Sequence, residues 1–469
     1  MRGIDWFSRL AGGSRRTVVT ALMALLALAV AARAGWSTSL PLGASHPLVL
    51  LAAIPVAVAI LVRPELGVLV LIATQWLSPL FPAESAFTLN RAVGVITLVG
   101  ALGLRALRVE PRPPRLERFD VLVLALISVA FLSVLVKGSY QWTSSSLWDF
   151  VMGYAVYWMM VDRITTWKGL RLVLWVMLIC TLVAGIPTIV MVLRSPLPET
   201  VRRVYGLQQV NTMGRQGWVA IACVLWLAER WRKGKLALFL LIPVLAIIVL
   251  LSGSRTALLS LVAVLAVLGW TLRGKGPSLG TMILLLLIAS AVVAATDLAP
   301  AAVQRALDFS PVSSAALGGA EQSLDRLATT MAAIRMFLDS PLLGVGFGGF
   351  RDHLFAYTRT QFWRAPHVAH NVFASTLAET GLLGFVVLLL VYYEAFRPLR
   401  ASAAQRGSED WRAIAYVSAI LIGNNVISAL AGGAYIDREM FIVFALATIT
   451  GKLVRAAGRE QAALDSLQP

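Results

Sequence analysis

The chain has 469 residues, of which 58% are hydrophobic and only 14% charged, and it carries a formal net charge of +17. Soluble domains are about 25% charged. A water-soluble fold of this length cannot bury so much apolar side chain, so a soluble enzyme, a disordered chain and a disulfide scaffold are excluded. Read against a bilayer, the mean hydropathy of +0.78 predicts one integral membrane domain with many spans.

Apolar runs of membrane-crossing length centre on 17–32, 47–62, 65–81, 92–107, 119–136, 147–161, 170–193, 216–229, 236–251, 255–271, 279–297, 371–394, 413–431 and 439–455. The expectation is an all-α integral membrane protein, a polytopic helical bundle of about 12–14 transmembrane helices, with one long external loop containing short helices. Residues 1–297 hold about eleven of the spans and an external basic loop, 194–215. Residues 298–369 form the long loop, 370–456 the C-terminal membrane helices and 457–469 a cytoplasmic tail. Arg15-Arg16, the first apolar run and Ala32-Arg33-Ala34 resemble a signal peptide with its cleavage site; we expect the helix to be retained. Cys180 and Cys223 lie in apolar runs and supply neither a disulfide framework nor a metal cluster.

Basic residues test this map. With the N-terminus inside, 26 of the 41 Lys and Arg residues fall on the cytoplasmic side, as the positive-inside rule requires. The basic excess therefore faces anionic membrane lipid, and no nucleic-acid partner is implied. The exception is 194–215, where Arg194, Arg202, Arg203 and Arg215 stand outside with a lone Glu199.

The second external segment, 298–369, is unusually long, and such loops tend to be functional or disordered. Within it, 323–339 has helical spacing. Leu324, Leu327, Met331, Ile334 and Leu338 form an apolar stripe, which predicts a helix laid on the membrane domain, capped by Ser323 and ended before Pro341. Gly344, Gly346 and Gly349 satisfy G-x-G-x-x-G, but no strand precedes them and no acidic partner follows at the right distance, so they read as a tight turn and not a dinucleotide site. His353, His367 and His370 follow, without H-E-x-x-H, a nearby cysteine or any D-x-D pair. Neither a metal nor another cofactor is predicted.

Charge inside or beside the spans is costly and marks candidates. Arg255, in LLSGSRTALLSL, and Arg215, in NTMGRQGW at the head of the span 216–229, read either as snorkelling anchors or as anion ligands. Arg202 and Arg203 are either a solvated face or part of the same anion site. His370 begins a span, as a hydrogen-bonded rim residue or as a base. Asn371 and Glu379 follow on that helix, and Asn424 and Asn425 read as interhelical hydrogen-bonding residues. External arginines meeting one histidine at membrane depth would suit a lipid phosphate, since guanidinium forks bind phosphate oxygens bidentately.

Three blocks carry a family resemblance: GSRTALLSL around Arg255, RLATTMAAIRMFLDSPLLGVGFGGF at 326–350 and AHNVFASTLAETGLLG at 369–384. In content and order they resemble the O-antigen ligase and polymerase superfamily of bacterial envelope glycosyltransferases. The resemblance implies inverting, metal- and nucleotide-independent glycosyl transfer on the periplasmic face of the inner membrane. It implies an undecaprenyl-pyrophosphate-linked glycan donor, and lipid A–core or another glycan as acceptor. By position, His370 matches the family's base, and Arg215 and Arg255 match the arginines that engage the pyrophosphate. Arg202, Arg203, Arg326, His367 and Asn371 complete the expected substrate-binding set. Ligase is the first reading and a polymerase of the same superfamily the second. A secondary transporter or flippase is the rival from another class. It would call for midplane charge and broken helices, whereas here the charges gather at the outer rim and the spans read as mostly unbroken.

Overall fold

A computed structural model describes residues 55–77, 83–106, 116–138, 140–194, 210–231, 234–272, 320–358, 369–403, 411–431 and 437–465. Every regular element among them is helical, and the protein is an all-α polytopic membrane protein. Six described helices are long and apolar enough to cross a bilayer, and Pro64–Leu77, Asn90–Leu104 and Lys235–Leu251 are shorter apolar helices. The predicted spans 17–32 and 279–297 and the first half of 47–62 lie outside the described residues, as do 298–319 and 359–368 of the long loop.

The chain divides into two compact units, one comprising Met1–Arg115 with Asp162–Ile164, the other Leu116–Val161 with Thr165–Pro469. In the first, α1 (Pro64–Leu77) packs on α2 (Ala83–Ala106). Pro64 opens α1, where its missing N–H costs no hydrogen bond. The helix pair before and after Arg63 closes on α2 at Gly100, where a Cβ would lie 2.9 Å from the Leu61 carbonyl oxygen.

The second unit contains α3 (Arg118–Lys137), α4 (Thr143–Arg163), α5 (Trp167–Arg194), α6 (Val210–Arg230), α7 (Lys235–Phe239), α8 (Leu241–Leu251) and α9 (Arg255–Leu272). After the long loop's α10 (Ala320–Asp339) and α11 (Phe350–Tyr357) come α12 (Val372–Ala403), α13 (Trp411–Leu421), α14 (Ser428–Ala431) and α15 (Arg438–Asp465). The last residues of α4 belong to the first unit. Helix α6 is apolar on all sides between Gln216 and Ala228, and that whole stretch is buried, as expected for a helix surrounded by others. It packs against α5, α8, α9 and α13.

Three expectations change. The predicted span 371–394 is not one straight helix. Gly381 has φ 63° and ψ −160° in the middle of α12, and the rings of Phe373 and Tyr392 lie 5.2 Å apart. A straight helix would separate those residues by roughly 28 Å, so the chain reverses at Gly381 and the arm 372–380 runs back alongside 382–403. The span 413–431 is interrupted by a π-helical turn at Ile422–Ile427. The Gly423 carbonyl accepts Ser260 Oγ and Ser428 Oγ, each at 3.1 Å. "Mostly unbroken" spans therefore fail in two places, which hydropathy could not show.

The third change concerns α10. It starts at Ala320, so Ser323 lies inside it and is not its cap. Its buried face is Thr329, Ala332, Ala333 and Met336, while Met331, Ile334 and Leu338 of the predicted stripe are exposed. Small side chains let two helices approach closely, and that close face, not the large apolar one, meets the rest of the unit.

Candidate active site

The heads of α6, α9 and α15 carry the charge. Gly214 on α6 packs so tightly against the turn before α9 that a Cβ there would lie 2.6 Å from Ser252 Oγ and 2.7 Å from Ala257 Cβ. That contact brings the neighbouring Arg215 and Arg255 to one end of two packed helices. The turn is locally determined. Gly253 takes φ 58°, Ser252 Oγ donates to the Val249 carbonyl at 2.6 Å, and Ser254 Oγ accepts the Ala257 N–H at 3.4 Å as a helix cap. Arg255 is the first residue of α9. A cation there opposes the helix macrodipole, and the same helix end attracts anions.

Arg215 is held from across the sequence. Its Nη1 lies 2.7 Å from Asp437 Oδ2 and its Nε 2.5 Å from Glu439 Oε2. Both carboxylates use their second oxygen as well. Asp437 Oδ1 accepts the Met440 N–H at 2.9 Å, capping α15, and Glu439 Oε1 accepts Gln216 Nε2 at 3.2 Å. Glu439 and Gln216 are buried, and the Arg215 side chain is largely so. Next to them Arg438 pairs with Asp149 of α4 at 2.5 Å. Two carboxylates fix the plane of the Arg215 guanidinium before any ligand arrives.

His370 precedes the re-entrant arm of α12. Among the described residues it is the one non-glycine with positive φ, 52°, a conformation that costs energy and persists where the surroundings over-determine it. Asn371 caps the arm: its Oδ1 accepts the N–H groups of Phe373 and Ala374, both at 3.0 Å. Its oxygen therefore serves the helix as a cap.

The glycine-rich turn holds the reversal of α12. Its N–H groups at Val345 and Gly346 donate to the carbonyls of Ala378 and Glu379 (2.8 and 3.2 Å), and its Pro341 and Leu342 carbonyls accept from Leu382 and Leu383 (2.8 and 3.4 Å). The Glu379 carboxylate is 1% exposed and accepts the Gly348 and Phe350 N–H groups, each at 3.0 Å. Gly344 and Gly381 both have positive φ, and a Cβ on either would lie 2.4 Å from the opposing backbone. Ser133 Oγ lies 2.8 Å from both the Leu343 and Glu379 carbonyls. Tyr140 Oη donates to the Val345 carbonyl at 3.0 Å and lies 3.0 Å from His353 Nε2. Burial and the nearby Asp352 raise the Tyr140 pKa, keeping it a neutral donor.

Helix α4 joins the two groups. Thr143 Oγ1 donates to the Phe347 carbonyl at 2.9 Å. Phe150 meets Phe347 of the turn at 6.4 Å and Phe441 of α15 at 5.7 Å. Arg215 and Arg255 thus share one end with Asp437 and Glu439, and His370 and Asn371 form a second group beside α10 and the glycine turn. Arg326 lies on α10; Arg202, Arg203 and His367 lie outside the described residues. Sequence reasoning missed Asp437 and Glu439, which stand either side of Arg438 and more than 200 residues from Arg215.

Residues 236–389 match the family model described as O-antigen ligase. No curated protein matches the chain. The matched segment runs from α7 into the second arm of α12, taking in Arg255, Arg326, His367, His370 and Asn371. Arg215 and its two carboxylates lie outside it.

Proposed function

We propose that this chain, which carries an O-antigen ligase domain over residues 236–389, moves a glycan from undecaprenyl pyrophosphate to a hydroxyl of lipid A–core on the periplasmic face of the bacterial inner membrane. The observation that carries this reading is the pairing of Arg215 and Arg255 at the heads of two packed helices, one guanidinium pre-oriented by Asp437 and Glu439. Arg255 opens its helix, an end whose N–H groups and dipole favour an anionic ligand.

In this reading the acceptor oxygen attacks C1 of the donor sugar as the C1–O bond to the diphosphate breaks, in one inverting displacement. The acceptor proton passes to the His370 imidazole, help worth about 10²–10⁴-fold in rate. Arg255 and the outer edge of Arg215 stabilise the charge that grows on the diphosphate, where fixed donors in a partly dry site count most. Asn371 and the glycine turn position His370. Arg202, Arg203, Arg326 and His367 extend the contact to the donor and acceptor. No metal or cofactor enters.

The purified protein is incubated with a defined undecaprenyl-pyrophosphate glycan, with and without lipid A–core. Modified core is the expected product. Chain lengthening without core assigns the polymerase reaction instead, and no transfer at all overturns the reading. His370→Ala should abolish transfer while donor binding survives; near-normal turnover removes the base. The break at Gly381 and the π-turn with Asn424 and Asn425 are the features a transporter would use. Uptake of the donor into liposomes without transfer would favour that rival.

A further inference from the structure

The apolar stripe of α10 points away from the protein. Met331, Ile334 and Leu338 are 43%, 38% and 66% exposed, and Leu342, just past the helix end, is 65% exposed. At about 100° per residue, the stripe lies opposite the buried face of Ala332, Ala333 and Met336. Arg335 and Asp339 occupy the flank between them and are exposed.

Two helices measure the depth of this stripe. The Leu342 carbonyl accepts the Leu383 N–H, and the second arm of α12 from 382 to 400 is roughly 28 Å long, the thickness of the hydrocarbon layer. Ser133, bonded to the neighbouring Leu343 carbonyl, is one turn short of the end of α3, a 20-residue candidate span. Both place residues 341–343 just inside the same edge of the bilayer. The exposed apolar face of α12 at Leu382, Leu383 and Val386, and that of α3 at Leu132 and Leu135, start at this level. Leu342, hydrogen-bonded at this level, and Leu338, one turn before it, are exposed like them.

We propose that α10 is an interfacial helix bedded in one leaflet, its Met331–Ile334–Leu338–Leu342 stripe covered by acyl chains of bilayer lipid. Large apolar residues on one side and charged residues beside them are the pattern of a helix lying in the membrane interface. The helix is clamped to the membrane domain on its small-residue face and wetted by lipid on the other. This depends on the membrane-spanning architecture and not on the glycosyl-transfer reading.

The test uses the full-length protein in phospholipid nanodiscs. Nitroxide labels are placed at Leu338→Cys and, on the flank, at Asp339→Cys. The native Cys180 and Cys223 are buried, and the unsubstituted protein controls for their labelling. Power saturation with oxygen and with a water-soluble nickel chelate reads the environment. The expected result is an oxygen-to-nickel accessibility ratio several-fold higher at 338 than at 339. Equal ratios, meaning water on both, overturn the proposal. Low access to both reagents at 338 also overturns it, because a second copy or another segment then covers the stripe. Met331→Cys repeats the measurement should the first variant fold poorly.

Discussion

Two buried glutamates in the second unit are satisfied by opposite means. Glu439 faces the guanidinium of Arg215 and the amide of Gln216, side chains more than 200 residues away in sequence. Glu379 accepts from nearby backbone, the N–H groups of Gly348 and Phe350. A guanidinium offers several donors and can hold a second anion while keeping its first. A backbone N–H spent on a carboxylate has nothing further to give. The first region is therefore suited to ligand chemistry, and the second to holding a chain reversal in place.

Substitutions can break this contrast. The largest effect is expected from Arg215→Ala, which leaves Asp437 and Glu439 without their cation; orphaning a buried charge costs about 3–5 kcal/mol. Thermal unfolding in detergent reads the loss, and adding Glu439→Gln should restore part of the stability without restoring transfer. If the single and double variants melt alike, the pair has no structural weight. Next comes Glu379→Ala, which strands two buried N–H groups at about 1–3 kcal/mol each. Here hydrogen exchange at 345–350 should accelerate while exchange at the head of α6 is unchanged, so parallel acceleration at both would merge the two regions into one.

Gly381→Ala forces a side chain into positive φ and against the Leu342 backbone. The conformational part alone is about 1–3 kcal/mol, and the Phe373–Tyr392 contact should loosen, as a disulfide trap or distance label across the two arms would record. The smallest effect is that of Asn371→Ala, about 1 kcal/mol for a lost helix cap. Its transfer rate should fall less than that of His370→Ala; an equal fall would restore Asn371 to a chemical role.

Much of the helix inventory was legible because membrane helices advertise themselves by length and apolarity. Arg255 and His370 were legible too, as polar residues at span ends. The reversal in α12 was not. Gly381 stands in TGLLGFVVLLL, and glycine is common inside membrane helices, so hydropathy runs straight through it. Only the insertion of 341–346, from another part of the chain, supplies the hydrogen bonds that make a break affordable. The partners of Arg215 were hidden for a similar reason. Asp437 and Glu439 flank Arg438 in sequence, yet Arg438 turns to Asp149 and both acids turn to α6. The stripe of α10 misled in the other direction. Large apolar residues in a membrane protein need not face inward, since lipid is as good a solvent for them as a protein core.

The inserted turn also acts as a mechanical stop. The four backbone bonds that splice 341–346 into the gap of α12 are shared between two strands of chain, so neither can move alone. For the arm 372–380 to swing away, the wedge has to withdraw first, and withdrawing it unseats Glu379 and releases the Ser133 hydroxyl from both carbonyls at once. The arm that His370 precedes is thereby anchored by a glycine turn from an earlier part of the chain, and changes in that turn can retune the arm without touching the histidine itself.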